Sequence, residues 1–311
     1  MSAWCFDSEV LELAGKSVAR MHDRLARFAP RLAAETDTWT RALSRTGEAR
    51  DYFVGGKSNL LLLPLFLREA CQREADRAFE LDLAYSTLNA YYFVRLIDDV
   101  VDGSPSARSP LLPLLGFFHS EFQSTYVRYF PPDSVFWEFF HCTWVTMAEA
   151  TVEQTRLLDL SKHDFIRLSA AKSGGVKIPL AAVCERYGRP DLLQRWCTFF
   201  DEFAAWGQML DDVFDWLQDY TQAVPTYFLS EARRRKRHDE SVASWILREG
   251  IEWGYAHAAR QMGTLRNIAT ELESENLVRY INHRQTEVAQ LWETLRPQLP
   301  ALARLALAFE G

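Results

Sequence analysis

The chain lacks any long apolar run. The longest, "LLLLPLFL" from Leu60 to Leu67, is interrupted by Pro64 and falls far short of the ~20 residues a membrane-spanning helix needs. The opening stretch "MSAWCFDSEVLELAGKSVARMHD" places acids early and shows no basic-then-apolar order, so no secretory signal is expected. Cysteine is sparse: Cys5, Cys71, Cys142, Cys184 and Cys197 are odd in number and without Cys-x-x-Cys spacing, which argues against a disulfide framework or a zinc ribbon. Positive charge is in deficit, and a formal net charge of −7 argues against nonspecific binding to nucleic acid. Alternating β-type runs, long-period repeats and low-complexity tracts are missing too. These absences predict a cytoplasmic protein that buries its thiols, with no membrane span and no nucleic-acid partner.

What remains is apolar periodicity of three and four residues over 311 residues that are 48% hydrophobic. It predicts an all-α fold with helices over Ser8–Ala34, Leu60–Glu74, Ala78–Asp102, Pro110–Tyr129, Phe136–Leu158, His163–Lys172, Ile178–Tyr187, Asp191–Tyr220, Glu240–Leu272 and Leu277–Leu295. Breaks fall at "GSPSARSP", "FPPD", "SGG", "GRPD" and "AVPT", where Gly or Pro interrupts a helix. No linker is long enough to divide the chain, so residues 1–311 are expected to form one helical domain. The ten Trp, eleven Tyr and twenty Phe hint at a shaped cavity.

Two acidic clusters stand out. "LIDDVVDGSP" puts Asp98, Asp99 and Asp102 just before a Gly-Ser-Pro stop, and "WGQMLDDVFDWLQDY" puts Asp211, Asp212, Asp215 and Asp219 near the end of another helix. A helix C-terminus already carries negative partial charge, so each acid there works against the macrodipole by roughly 0.3–1 kcal/mol. At 3.6 residues per turn Asp211, Asp215 and Asp219 stack into a ladder of like charges. A positive partner is missing from the sequence. Mg²⁺ answers best, since it takes hard oxygen ligands, keeps several waters, and prefers one or two carboxylates plus substrate phosphates to a complete protein cage. Two such rows facing each other across a cavity would clamp a diphosphate.

With these clusters in place the chain resembles the class I isoprenoid synthase superfamily: the trans-prenyl diphosphate synthases, the class I terpene synthases and, more distantly, squalene and phytoene synthases. "GGK" at Gly55–Lys57 is similar to the start of a Gly-Gly-Lys-Arg signature. "EQTRLLDL", "AAKSGG" and "GQMLDDVFD" resemble, in order, the family's Gly-Gln-x-x-Asp-Leu, Lys-Thr and Phe-Gln-x-x-Asp-Asp-x-x-Asp elements. The resemblance runs from about Gly55 to Asp219. It implies a helical bundle around a central active-site cavity, a prenyl diphosphate substrate and three Mg²⁺ ions bound with the diphosphate. Asp98, Asp99 and Asp102 would hold two of the ions, and Asp211 and Asp215, with Asp212 and Asp219 nearby, the third. Lys172 and Lys57 would contact the diphosphate. Homodimers are common among similar proteins.

The departures choose among the superfamily's reactions. Prenyl chain elongation needs a second anion pocket, which the family builds from the Arg after Gly-Gly-Lys and an Arg pair after the first acids. Here Ser58 follows Lys57, and "DGSPSARSP" supplies only Arg108. The expectation is therefore a terpene synthase that ionises an allylic diphosphate and lets the carbocation react within itself. The rivals are a prenyl diphosphate synthase or head-to-head prenyltransferase with atypical anion contacts, and a non-catalytic helical scaffold.

Further candidates surround these motifs. Arg95 lies one turn before the first acids, where it can reach either a carboxylate or a diphosphate. Arg167 stands as a diphosphate sensor or a surface arginine, Gln208 belongs to the second motif, and "VRYINHR" offers Arg279, Tyr280 and Arg284 late in the chain. Tyr91, Tyr92, Phe93, Phe203, Trp206 and Trp144 are candidates to line a hydrocarbon pocket, where ring faces stabilise cations without trapping them. Ala204 and Gly207 leave room on the face leading to Asp211. The basic run "RRRKRH", Arg233 to His238, reads as a solvated loop in preference to a lid.

Overall fold

The computed structural model describes residues 5–54, 57–101 and 109–301. Among them there is no strand. The α-helices are α1 (Asp7–Phe28), α2 (Pro30–Ala42), α3 (Asn59–Ala70), α4 (Arg77–Val101), α5 (Leu114–Tyr126), α6 (Val135–Arg156), α7 (Lys162–Lys172), α8 (Lys177–Tyr187), α9 (Pro190–Phe214), α10 (Trp216–Thr221), α11 (Tyr227–Arg235), α12 (Val242–Trp245), α13 (Ile251–Glu271) and α14 (Glu275–Leu295). No described helix is long and apolar enough to cross a membrane. Two compact units are resolved: residues 1–140 with 178–191, and residues 141–177 with 192–311.

In the first unit α4 packs on α1 and α5. Its inner face carries Phe79, Leu83, Leu88, Tyr92 and Leu96, all nearly inaccessible. Buried polar groups tie this core together. Glu121 of α5 accepts from Tyr85 and from Arg24, each at 2.6 Å, while Asp82 accepts from Tyr129 at 2.7 Å. Pairing of this kind is what keeps a buried carboxylate from being a liability.

In the second unit α13 packs along α14. Gly254 lets α13 approach closely, because a Cβ there would lie 2.4 Å from Val213 Cγ2 of α9 and 3.2 Å from Phe228 Cε2 of α11. Side-chain caps start several helices: Ser161 in a full capping box with Asp164, Thr226 on α11 and Ser274 on α14.

The helix boundaries differ from expectation at four places. The expected first helix, Ser8–Ala34, breaks at Ala29, where Pro30 takes the first position of a new helix and so gives up no hydrogen bond. The expected helix Asp191–Tyr220 is interrupted at Asp215, and the expected helix Glu240–Leu272 carries a π turn over Ile246–Gly250 between α12 and α13. The basic run is not a free loop. Arg233–Arg235 form the last turn of α11, where cations complement the helix dipole, and Arg234 and Arg235 both bind Glu231 at 2.8 Å.

Candidate active site

α4 ends on acids with no basic residue in its last turn. Successive residues point about 100° apart on a helix, so Asp98 and Asp99 meet different surroundings. Asp98 is exposed, whereas Asp99 is 1% exposed. One oxygen of Asp99 pairs with Arg95 Nη2 at 2.6 Å and the other accepts from Trp39 Nε1 at 3.2 Å. Burial works against the Arg95 charge, but Asp99 together with Tyr52 and Tyr91 outweighs it and holds the guanidinium above its ordinary value. Arg95 thus serves Asp99 first. Asp102 lies outside the described residues, as do Gly55, Gly56 and Arg108.

The aromatics of this unit divide. Tyr92 is fully buried, with its ring against Trp39 at 5.5 Å, Phe53 at 5.7 Å and Phe118 at 5.7 Å, a position in the core. Burial drives its hydroxyl far above the usual tyrosine range. Phe93 is half-buried beside His119. Tyr91 shares a 2.8 Å hydrogen bond with Tyr52, and the exposed Lys57 stands 5.8 Å over its ring.

α9 also ends without a basic residue in its last turn. The bend at Asp215 does not break the ladder beneath it: Asp215 N–H still donates to Asp211 O at 2.8 Å and Asp219 N–H to Asp215 O at 3.0 Å. Asp211 and Asp215 are exposed and Asp219 is half-buried. Asp212 turns inward and is 2% exposed. It accepts from Gln208 Nε2 at 2.7 Å and from the backbone N–H of Phe228 in the first turn of α11. Burial is the largest influence on it, and with the nearby Asp219 and Asp211 charges it pushes the carboxyl up to about 7 against the relief from Gln208 and Phe228.

Lys172, Gln208 and Asp212 line one small cavity with Gln154, Thr226 and Tyr227. It measures about 10 Å³, roughly the room for one water. Residues far apart in sequence are thereby gathered from α6, α7, α9 and the start of α11. Trp206 is buried beside Phe203 at 5.4 Å, Phe203 lies 6.1 Å from the buried Tyr280, and Arg284 stands 5.8 Å over Trp206. A Cβ on Gly207 would meet nothing within 4 Å. Arg167 is exposed and closes its fork on Glu153 at 2.8 and 2.5 Å, and Arg279 is exposed.

Sequence reasoning missed Trp39, Tyr52, Thr226 and Tyr227. Only Thr226 carried a local signal, a threonine just before a helix.

The buried Asp212 has a measurable consequence. Its carboxyl is raised in the fold, so the native state holds this proton where the unfolded chain has lost it. Stability from this group is complete below about pH 4 and falls as pH rises toward 7. Asp212→Asn is expected to flatten that part of the profile, read as urea midpoints from pH 4 to pH 8 in the presence of chelator. An unchanged slope would show that Asp212 titrates normally.

No family model and no curated protein matches the chain. A solved structure does. The crystal structure of a decaprenyl diphosphate synthase from Rhodobacter capsulatus superposes with a TM-score of 0.63, covering 86% of this chain and 98% of its own at 17% identity. The chain has the isoprenoid synthase fold. The donor set here suits a hard divalent cation such as Mg²⁺. The exposed carboxylates Asp98, Asp211 and Asp215 are hard oxygen donors. Among the described residues no three His, Cys, Asp or Glu side chains make a ready-made metal nest.

Proposed function

We propose that this isoprenoid synthase fold carries a class I terpene synthase, which ionises an allylic prenyl diphosphate, lets the carbocation cyclise or rearrange, and releases diphosphate. The observation that carries the reading is the shared ending of α4 and α9: acids in the last turn, no basic residue, and Asp98, Asp211 and Asp215 turned to solvent. These three would hold Mg²⁺. Bound there, it supplies Lewis acidity at the leaving oxygens. Asp99 and Asp212 act from within, Asp99 by fixing Arg95 and Asp212 by joining Gln208 to the start of α11. Lys172 offers a half-buried positive charge for departing diphosphate. Phe203, Trp206 and Tyr280 supply ring faces to a cationic hydrocarbon.

The choice of cyclisation over chain elongation rests on position 58. Ser58, where elongating enzymes resembling this chain carry Arg, is 2% exposed at the start of α3 and brings no charge. Prenyl transfer is the second reading, favoured by the name of the structural neighbour, a decaprenyl diphosphate synthase. Incubating the protein with Mg²⁺ and geranyl, farnesyl or geranylgeranyl diphosphate separates the two. Cyclisation gives a hydrocarbon or terpene alcohol from one substrate, detected by mass spectrometry. Strict dependence on added isopentenyl diphosphate would replace it with prenyl transfer.

A further inference from the structure

α1 and the first half of α4 border a second cleft, with a volume of about 310 Å³, inside the first unit. Lys16, Ser17 and Arg20 line it from α1; Ala78, Leu81 and Tyr85 line it from α4. Its volume is at the lower end of small-molecule sites. Asp82, another lining residue, sits 16 and 17 residues before Asp98 and Asp99, roughly 25 Å along the helix.

Two features mark the cleft as built. Ser17 is 2% exposed and its hydroxyl has no hydrogen-bond partner. A buried helix serine ordinarily returns its hydroxyl to a carbonyl one turn back, and Ser17 does not. The second feature is charge. Arg20 lies over the Tyr85 ring at 3.9 Å and pairs with Asp82, which also binds Arg128 at 3.0 Å and Tyr129 at 2.7 Å. Two guanidinium groups therefore share one carboxylate. The nearby pairs Arg24–Glu121 and Lys16–Glu12, both at 2.6 Å, are balanced and do not cancel this excess.

We propose that the cleft binds a small organic anion, with a phosphate or carboxylate head on a short apolar body. The head accepts from Ser17, Arg20 and Lys16, and the body lies on Ala78 and Leu81. This site lies along α4 from that helix's acidic end and uses none of the acids of the proposed reaction, so its fate does not depend on it.

Calorimetric titration of the full chain with hexyl phosphate, hexanoate and neutral hexanol tests the proposal. One or both anions are expected to bind with Kd on the order of 1 mM or tighter, with hexanol much weaker. The stronger anion tells phosphate from carboxylate recognition. Ser17→Ala and the exposed-site variant Lys16→Met should each weaken binding about tenfold. Leu81→Trp should fill the cleft and abolish binding, while Asp98→Ala leaves it unchanged. Hexanol binding as tightly as the anions, no anion binding, or indifference to both Lys16→Met and Leu81→Trp would overturn it.

Discussion

Asp98→Ala and Asp99→Ala are expected to fail in opposite ways, although the two residues are neighbours. Asp99 is buried, and its removal leaves Arg95 without its carboxylate and the Trp39 N–H without its acceptor. Breaking a fully buried pair costs about 3–5 kcal/mol. Arg95 keeps 39% of its side-chain surface, so about 2–3 kcal/mol is the expected loss here. Asp98 is exposed, and its loss should shift stability by less than about 1 kcal/mol. Turnover reverses the order. Asp98→Ala is expected to lower it on the order of 100-fold or more, the scale of losing one group that stabilises developing charge. Urea unfolding and Mg²⁺-dependent diphosphate release, measured on both variants, check the contrast. Equal stabilities, or full activity in Asp98→Ala, would contradict it.

Gly254→Ala is expected to be among the most damaging single-methyl changes in the chain. The added Cβ would fall 2.4 Å from Val213 Cγ2, 3.2 Å from Phe228 Cε2 and 3.5 Å from Met209 Cε. Val213 is β-branched and short, so it cannot swing aside as the end of a long side chain can. The overpacking should cost about 1–3 kcal/mol. It also acts directly behind the acids, since Val213 follows Asp212 and the Phe228 N–H holds that carboxylate. Gly207→Ala is the control: the same substitution on α9 meets nothing within 4 Å and should gain up to about 1 kcal/mol of helix propensity. Urea midpoints of the two variants should move in opposite directions. A Gly254→Ala midpoint equal to the parent's would show that α13 can withdraw from α9 at no cost.

Much of the fold was legible because helices buried on one side repeat every three or four residues, and α3 to α8 fall close to their expected ranges. The acidic helix ends were legible for a related reason: several carboxylates beside a negative dipole are anomalous in any context. What escaped depends on partners distant in sequence. Nothing near Asp99 in the sequence reveals Trp39, which reaches it from α2. Nothing near Asp212 reveals that its carboxylate meets the start of α11. The bend at Asp215 was hidden because the backbone bonds across it survive. α11 was missed because its exposed arginines read as a loop, whereas Glu231 binds two of them within one helix. Tyr92 likewise gives no local sign of the rings that enclose it, Trp39, Phe53 and Phe118.

The central claim is that the exposed acids at the ends of α4 and α9 bind diphosphate through magnesium. Calorimetric titration of inorganic diphosphate into the full-length protein, with Mg²⁺ and again with EDTA, tests it most directly. The account predicts binding with Mg²⁺ that disappears in EDTA and is lost in Asp98→Ala and in Asp211→Ala. Diphosphate binding of equal strength in EDTA, or binding that survives in both variants, would contradict it.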